Sequence, residues 1–300
     1  MPRKVCMLLG AHVSVAGGLE HAPAHGKTLG AEAIQIFTRN QRTWRHRPLC
    51  AAEVAAFRAA RAAAGTRAVL AHGSYLLNLA AADPAILRRS RAALLAEIER
   101  CRRLGVDVLV VHPGAHGGRG EAAGVRAVAA SLDWALEHAG GTGRVTLALE
   151  TTAGQGHSLG HRFEHLRDIL GRLRRPAGVA VCIDTCHVFA AGYELRSAGG
   201  YEETLAALGR TVGLDRVAAI HLNDSRGPLG SRRDRHVDLG AGELGIRVFT
   251  RLVRDRRLSG LPAVLETPGG MAIWKRDIAR LERARRCRPA RARTEGTKRP

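Results

Sequence analysis

The chain has 300 residues, of which 45% are hydrophobic, and its 47 Lys and Arg residues outnumber its 27 Asp and Glu residues to give a formal net charge of +20. This apolar content excludes an intrinsically disordered chain and suffices for one large domain or two average ones. No apolar run reaches the length of a membrane span, and the six cysteines lack the C-x-x-C pairs of a structural zinc site. We therefore expect a cytoplasmic protein that does not insert into membranes and keeps its thiols reduced.

Short apolar runs with the length of strands alternate along the chain with longer Ala- and Arg-rich stretches of helical period. One such helix is predicted from Pro84 to Leu104, with Asp83 as its N-cap and Gly105 at its end. In chain order, the predicted strands end at Ala11-His12, Ile36-Phe37, Ala71-His72, Val111-His112, Leu149-Glu150, Ile183-Asp184, Ile220-His221 and Leu265-Glu266. Eight strand and helix units predict a (β/α)8 TIM barrel of the α/β class.

The spacing of the strand ends favours this closed barrel over an open doubly wound sheet. From His72 onward, the polar residues that close the strands follow at intervals of 40, 38, 34, 37 and 45 residues, enough for one strand, one helix and two loops. In a barrel, the carboxyl ends of all strands converge on one face. Because no linker divides the chain, we predict one domain over residues 1–285 and a basic, disordered tail over residues 286–300.

Nine side chains able to bind metals recur through the chain, and six of them close a predicted strand. They are His72, His112, Glu150, Asp184, His187, His221, Asp234, His236 and Glu266. A set of imidazoles and carboxylates without thiolates favours zinc or manganese. Carboxylates at the ends of apolar strands would also be costly unless a cation or hydrogen bonds compensated them. We therefore predict one polynuclear metal site that promotes attack by water.

The charge of this set indicates a class of substrate. Three divalent ions beside the four carboxylates of the set would leave a charge of about +2, which suits a phosphodiester anion. Three other histidines near strand ends, His12, His116 and His157, are assigned supporting or structural roles, because the set of nine is complete without them. Cys182 and Cys186 flank Asp184 and could support the site or bind metal, but we predict that each is a small buried packing residue.

Several sequence blocks, in order from about residue 8 to about residue 280, resemble the signature blocks of endonuclease IV, the zinc-dependent apurinic/apyrimidinic endonuclease family. The blocks are 10–14 with 16–18, 37–44, 72–79, 112–116, 152–156, 182–187, 221–224 and 234–236. The resemblance implies a DNA repair enzyme that cleaves the phosphodiester 5′ to an abasic site and leaves 3′-hydroxyl and 5′-deoxyribose-phosphate ends. It also implies the xylose-isomerase-like form of the TIM barrel.

The resemblance further implies three zinc ions per chain, with Mn²⁺ an alternative at some positions. It assigns His72, His112 and Glu150 to the first zinc, Glu150, Asp184, His221 and Glu266 to the second, and His187, Asp234 and His236 to the third. By the same resemblance, Glu150 is the catalytic residue that orients the attacking hydroxide.

The implied partner is double-stranded DNA that contains an abasic site. Arg42, Tyr75 and Leu76 occupy positions whose counterparts in the family enter the DNA, where an apolar wedge replaces lost stacking. The net charge of +20 agrees with a polyanionic partner, although the tail could equally be a passive solubilising segment. We expect a monomer that is associated with the nucleoid when it binds DNA.

Three positions depart from the pattern of the family: Thr151, Gly73 and Ala241. None is a predicted ligand, so they bear on rate and metal occupancy more than on the class of reaction.

Other functions would use part of the same site. Glu150, Asp184, His221 and Glu266 alone would suit the single metal of a sugar epimerase, which has no use for the five remaining ligands. A hydride-shift isomerase needs a lysine near its metal, and no lysine lies between Lys27 and Lys275. A non-catalytic DNA-binding protein with a structural metal cluster is the third alternative.

Overall fold

Eight parallel strands form a closed barrel in the computed structural model, which describes residues 6–286. In chain order, the described strands are β1 (Leu8–His12), β2 (Ala33–Ile36), β3 (Ala68–His72), β4 (Val108–Val111), β5 (Thr146–Glu150), β6 (Val179–Asp184), β7 (Val217–His221), β8 (Asp224–Ser225), β9 (His236–Val237) and β10 (Pro262–Leu265). The short strands β8 and β9 pair with each other in antiparallel fashion outside the barrel. Each other strand pairs with the barrel strands before and after it, and β10 pairs with β1. The predicted TIM barrel is confirmed.

Helices follow the barrel strands and pack around the sheet. They are α1 (Ala22–Leu29), α2 (Ala51–Ala64), α3 (Pro84–Leu104), α4 (Glu121–His138), α5 (Phe163–Leu170), α6 (Thr185–Ala190), α7 (Ala198–Thr211), α8 (Ile246–Leu252) and α9 (Gly270–Arg286), with 3₁₀ turns at Leu19–His21, Leu214–Arg216 and Arg256–Leu258. Helix α3 has its predicted bounds: the Asp83 side chain accepts the N–H of Ala85 at 2.6 Å, and Gly105 closes the helix with a φ of 76°.

The apolar core has two layers. Small and branched side chains of alternating strand residues fill the barrel interior, and Cys182 is one of these buried residues. A larger cluster lies between the sheet and the helices and includes Phe57, Leu94 and Phe249. Cys186 is also buried, which agrees with its predicted role as a small packing residue.

The ends of the barrel strands place the polar residues on one face. His12, His72, Glu150, Asp184 and His221 are the last residues of their strands. His112 and Glu266 directly follow β4 and β10. The carboxyl ends of the barrel thus carry most of the predicted metal-binding set, as a TIM barrel requires of a functional site.

The predicted boundary between the domain and the tail, at residues 285 and 286, stays a prediction. Helix α9 includes Arg286, the last described residue, and the guanidinium of Arg286 contacts Glu282 at 2.8 Å. The rest of the predicted tail lies outside the described residues. Within residues 6–286, no helix is long and apolar enough to cross a membrane.

Candidate metal centre

The nine predicted ligands come together at the carboxyl end of the barrel in three groups. Within each group, one potential ligand atom from every residue lies within 4.8 Å of the others. The groups are His72, His112 and Glu150; Glu150, Asp184, His221 and Glu266; and His187, Asp234 and His236. This division has the same members as the three sets that the sequence resemblance implied. A further group joins Cys186 to Asp184 and His236.

Glu150 belongs to two of the groups and lies at the centre of the site. Its carboxylate is fully buried. Oε2 lies 3.1 Å from Nε2 of His72 and 3.0 Å from Nε2 of His112. Oε1 lies 2.8 Å from Nδ1 of His221 and 3.4 Å from Nδ1 of His187. One carboxylate can therefore bridge two cations.

Hydrogen bonds fix which nitrogen of three histidines is free to bind a metal. Nδ1 of His72 lies 2.8 Å from the carbonyl oxygen of Gly73 and must donate to it, so Nε2 keeps its lone pair. Nδ1 of His187 donates in the same way to the carbonyl of Thr151 at 2.8 Å. The ring of His221 is reversed, because its Nε2 donates to Oε1 of Gln35 at 2.9 Å and leaves Nδ1 toward the carboxylates.

Unpartnered nitrogens test whether the residues fit a metal. Nε2 of His187 and Nε2 of His236 are buried and make no hydrogen bond, although each lies 3.2 Å from an oxygen of Asp234. A hydrogen bond requires the N–H to point at the oxygen, whereas two ligands of one cation both point at the cation. The donor atoms are imidazole nitrogens and carboxylate oxygens, both of which zinc binds in proteins. The residues therefore fit divalent metal ions.

Close pairing of opposite charges controls the ionisation of these side chains. Burial would raise the pKa of Glu150, but the charges of His221 and His112 hold that pKa well below its ordinary value. Burial would lower the pKa of His187, but the charge of Asp184 and contact with Asp234 raise it well above its ordinary value. A cation that enters the site must displace protons from such imidazoles.

The spacing of Asp184 and His187 follows from helix capping. Asp184 is the N-cap of α6, and its Oδ1 accepts the backbone N–H of His187 at 2.8 Å. Its Oδ2 accepts a hydrogen bond from the Asn223 amide at 2.6 Å. The cap fixes the carboxylate and the imidazole on the same side of the helix start.

A buried aspartate holds the loop that carries Asp234 and His236. Asp224 is fully buried, and its Oδ1 accepts the N–H groups of Ser225 and Leu244 at 2.8 and 2.9 Å. Its Oδ2 accepts three more N–H groups from residues 240, 242 and 245, at 2.9 to 3.2 Å. The β8–β9 pair, in which Ser225 faces His236, then directs the loop back over the site.

We expect Asp224→Asn to lower the free energy of unfolding by about 2–4 kcal/mol, because the new NH₂ group must face backbone N–H donors on one side or the other. Urea denaturation of the metal-free protein measures this loss. Asp215→Asn is the control, since Asp215 is exposed. Equal stability of the two variants would contradict the role of Asp224.

Three polar residues around the site had no role assigned to them from the sequence: Gln35, Asn223 and Asp224. Gln35, fully buried on β2, donates to Oε1 of Glu266 at 2.6 Å and orients His221. Asn223 accepts the N–H of Glu266 at 2.9 Å, and Asp224 follows it. The sequence signal that could have found them is a polar residue inside an apolar strand, as for Gln35, or shortly after one, as for Asn223 and Asp224. His12 takes a supporting position, with Nδ1 3.1 Å from Oε1 of Glu266.

The positions that depart from the family pattern are accommodated locally. Oγ1 of Thr151 accepts the N–H of Asp184 at 2.9 Å. A side chain at Gly73 would meet Val111 at 2.8 Å and Leu77 at 2.9 Å, so packing in this chain favours glycine. Ala241 is exposed, and its N–H donates to the carbonyl of Asp238 at 2.9 Å.

Two exposed loops beside the site carry the predicted DNA-contacting residues. Tyr75 is 63% exposed, an unusual value for a large aromatic side chain, and its ring lies 5.6 Å from that of His72. Leu76 is half-buried, and Arg42 is exposed. The hydroxyl of Ser74 donates to the carbonyl of Gln41 at 2.7 Å, which ties the two loops together.

Two other histidines lie apart from the nine. The rings of His116 and His157 contact each other at 4.9 Å, and neither belongs to a metal-binding group among the described residues.

Comparison with known proteins gives first the class and then the family. The model for the xylose isomerase-like TIM barrel family matches residues 23–284. A curated "probable endonuclease 4" from Halorhodospira halophila is 48% identical over 90% of this chain and 91% of its own length. The crystal structure of endonuclease IV from Thermus thermophilus superposes with a TM-score of 0.83 at 39% identity, covering 92% of this chain and 98% of that one. The chain belongs to the endonuclease IV family, and the predicted resemblance and enzyme class are confirmed.

The fold alone is shared more widely. A D-tagatose 3-epimerase-like protein superposes with a TM-score of 0.72 at 17% identity, covering 93% of this chain and 97% of that one. At this identity, the likeness extends to the barrel and says nothing of the reaction.

Proposed function

We propose that the chain is a zinc-dependent endonuclease that hydrolyses the phosphodiester 5′ to an abasic site in double-stranded DNA and leaves 3′-hydroxyl and 5′-deoxyribose-phosphate ends. The observation that carries this proposal is the convergence of nine ligands in three groups that share the buried carboxylate of Glu150. Membership of the endonuclease IV family supports it.

Three zinc ions per chain are the proposed cofactor, one for each group, and Mn²⁺ is an alternative at some positions. When bound, such cations would lower the pKa of water and offset the charge of the phosphodiester. The pKa values of His187 and His221 are raised, so protons would occupy these imidazoles in the absence of metal. Bound cations would replace those protons as the positive charge beside the four carboxylates. One barrel supplies every ligand, so we propose that the chain acts as a monomer.

Glu150 is the proposed catalytic residue. Its two oxygens contact imidazoles of both adjoining groups, which leaves the carboxylate no freedom to rotate. A fixed acceptor of this kind can hold the attacking water or hydroxide in one orientation. Because the carboxylate of Glu150 is fully buried, bulk water competes little for that position.

Arg42, Tyr75 and Leu76 are proposed to contact the DNA. The exposed ring of Tyr75 and the adjacent Leu76 would stack in the space left by the missing base, while Arg42 would reach the strand from the other loop. A nucleotide without a base costs less to turn out of the duplex, which gives selectivity without reading sequence. The basic surface would supply affinity for phosphates.

The sugar epimerase alternative would use only the second group. His72, His112, His187, Asp234 and His236 would then converge beside a single metal without a function. These five residues favour the phosphodiesterase.

An incision assay tests the proposal. Zinc-loaded protein should nick a labelled duplex that contains one abasic analogue and leave the matched intact duplex uncut. The upstream fragment should be extended directly by a DNA polymerase, because extension requires a 3′-hydroxyl end. Equal nicking of both duplexes, or a fragment that must be trimmed before extension, would overturn it.

A further inference from the structure

A separate cluster of side chains able to bind a metal lies outside the candidate metal centre, where the loop after β5 meets α4. It consists of Glu121, the first residue of α4, and two histidines that flank the start of α5, His161 and His165. Potential ligand atoms of the three lie within 4.8 Å of one another. None of them belongs to the nine residues of the candidate metal centre.

The geometry resembles a site with two buried ligands and one that faces solvent. Nε2 of His165 lies 3.0 Å from Oε2 of Glu121, and Nε2 of His161 lies 3.6 Å from Oε1. The two histidine side chains are only 5% and 9% exposed, whereas that of Glu121 is 42% exposed. Two imidazoles and one carboxylate are a known donor set for zinc.

The strongest support for a cation at this cluster is the unpartnered Nε2 of His165. This atom is buried and makes no hydrogen bond, although a carboxylate oxygen lies 3.0 Å away. Nε2 of His187 and Nε2 of His236 have the same relation to Asp234 in the metal centre. Such off-axis proximity is what two ligands of one cation show when the cation is taken away.

The tautomer of His161 also suits a metal ligand. Its Nδ1 lies 2.8 Å from the carbonyl oxygen of Ser158 and donates to it, so Nε2 is left with a lone pair toward Glu121. Burial lowers the pKa of His161, which favours the neutral ring that a metal requires.

Two contacts oppose a cation here. The N–H of Gly160 donates to Nδ1 of His165 at 3.3 Å, which places the proton of the neutral ring on Nε2, and this long hydrogen bond must open before Nε2 can bind a cation. Nη1 of Arg162 lies 3.4 Å from Oε2 of Glu121 and must move aside. We therefore expect weaker binding than at the three groups of the metal centre.

We propose that Glu121, His161 and His165 bind an additional divalent cation of the zinc type, which fastens the loop after β5 to α4. The same loop supports the catalytic strand end, because the carbonyl of Gly160 accepts the N–H of Thr152 at 3.2 Å. A cation here would stabilise the segment that follows Glu150 without taking part in the chemistry.

Zinc binding to the full-length protein tests this site. Metal-stripped wild type, His161→Gln and Glu121→Gln are dialysed against buffered zinc, and bound zinc per chain is measured by mass spectrometry. His157→Gln is the matched control, because His157 is an exposed histidine of the same loop outside the group. Because the side chain of Glu121 is partly exposed, we expect Glu121→Gln to fold normally.

Wild type and His157→Gln should each bind one more zinc per chain than His161→Gln and Glu121→Gln. Zinc should also raise the melting temperature less in those two variants than in wild type. Equal zinc content in all four proteins overturns the proposal. The comparison does not depend on how many ions the nine residues hold, so failure here leaves the proposed nuclease untouched.

Discussion

Replacing Glu150 by glutamine should reduce single-turnover incision of an abasic duplex by about 10³-fold or more, while the affinity for that duplex changes by less than about threefold. The side chain keeps its size, so the buried site should keep its shape. The amide, however, has no charge to hold adjoining cations and offers an N–H group where the carboxylate accepts. The largest cost therefore falls on the chemical step.

Incision and gel-shift titration of the same preparation separate these effects. Glu137→Gln is the control, because that side chain lies on α4 and is 61% exposed. Incision by Glu150→Gln within about tenfold of wild type would contradict the catalytic role.

Replacing Asp234 by asparagine should remove one zinc per chain and lower incision by about 10²-fold or more. Asp234 is the carboxylate of the third group, and it faces the unpartnered nitrogens of His187 and His236. Burial would raise the pKa of Asp234, but those two imidazoles lower it to about 2. An amide in this position would meet the imidazoles without compensating their charge.

The side chain of Asp234 is 42% exposed, so its replacement should leave the stability of the barrel nearly unchanged. Glu243→Gln is the control, because Glu243 is an exposed carboxylate of the same loop. Full zinc content in Asp234→Asn would show that the third group does not hold an ion.

The barrel was predictable because its signals are local. Seven of the eight barrel strands are apolar runs that are closed by a polar residue, β2 being the exception, and a closed barrel brings those ends together whatever the details of packing. His72, Glu150, Asp184 and His221 were found in this way, since each is the last residue of its strand. Capping explains the placement of His187 as well, because Asp184 caps α6.

The supporting contacts were not predictable because they join distant parts of the chain. Gln35 contacts His221 across 186 residues, and nothing near either residue marks the pair. In the sequence, nothing distinguishes Asp224 from an ordinary loop residue. In the structure, its carboxylate accepts five backbone N–H groups from residues between 225 and 245. The β8–β9 pair, two residues in each strand, is too short to leave a pattern.

The group of Glu121, His161 and His165 escaped prediction for a related reason. His161 and His165 are four residues apart, but His165 lies inside α5 and His161 before it, so helical spacing does not relate them. Their common partner is the first residue of a different helix. Only the packing of α4 against α5 brings the three together.

Anomalous diffraction from crystals of the zinc-loaded protein, recorded on both sides of the zinc absorption edge, tests the trinuclear centre most directly. Three peaks should appear among the nine residues of the candidate metal centre, one in each of its three groups, with oxygens of Glu150 about 2.0–2.2 Å from two of them. A single peak among Glu150, Asp184, His221 and Glu266, with the other five ligands unbound, would contradict a three-zinc nuclease and favour the single-metal epimerase.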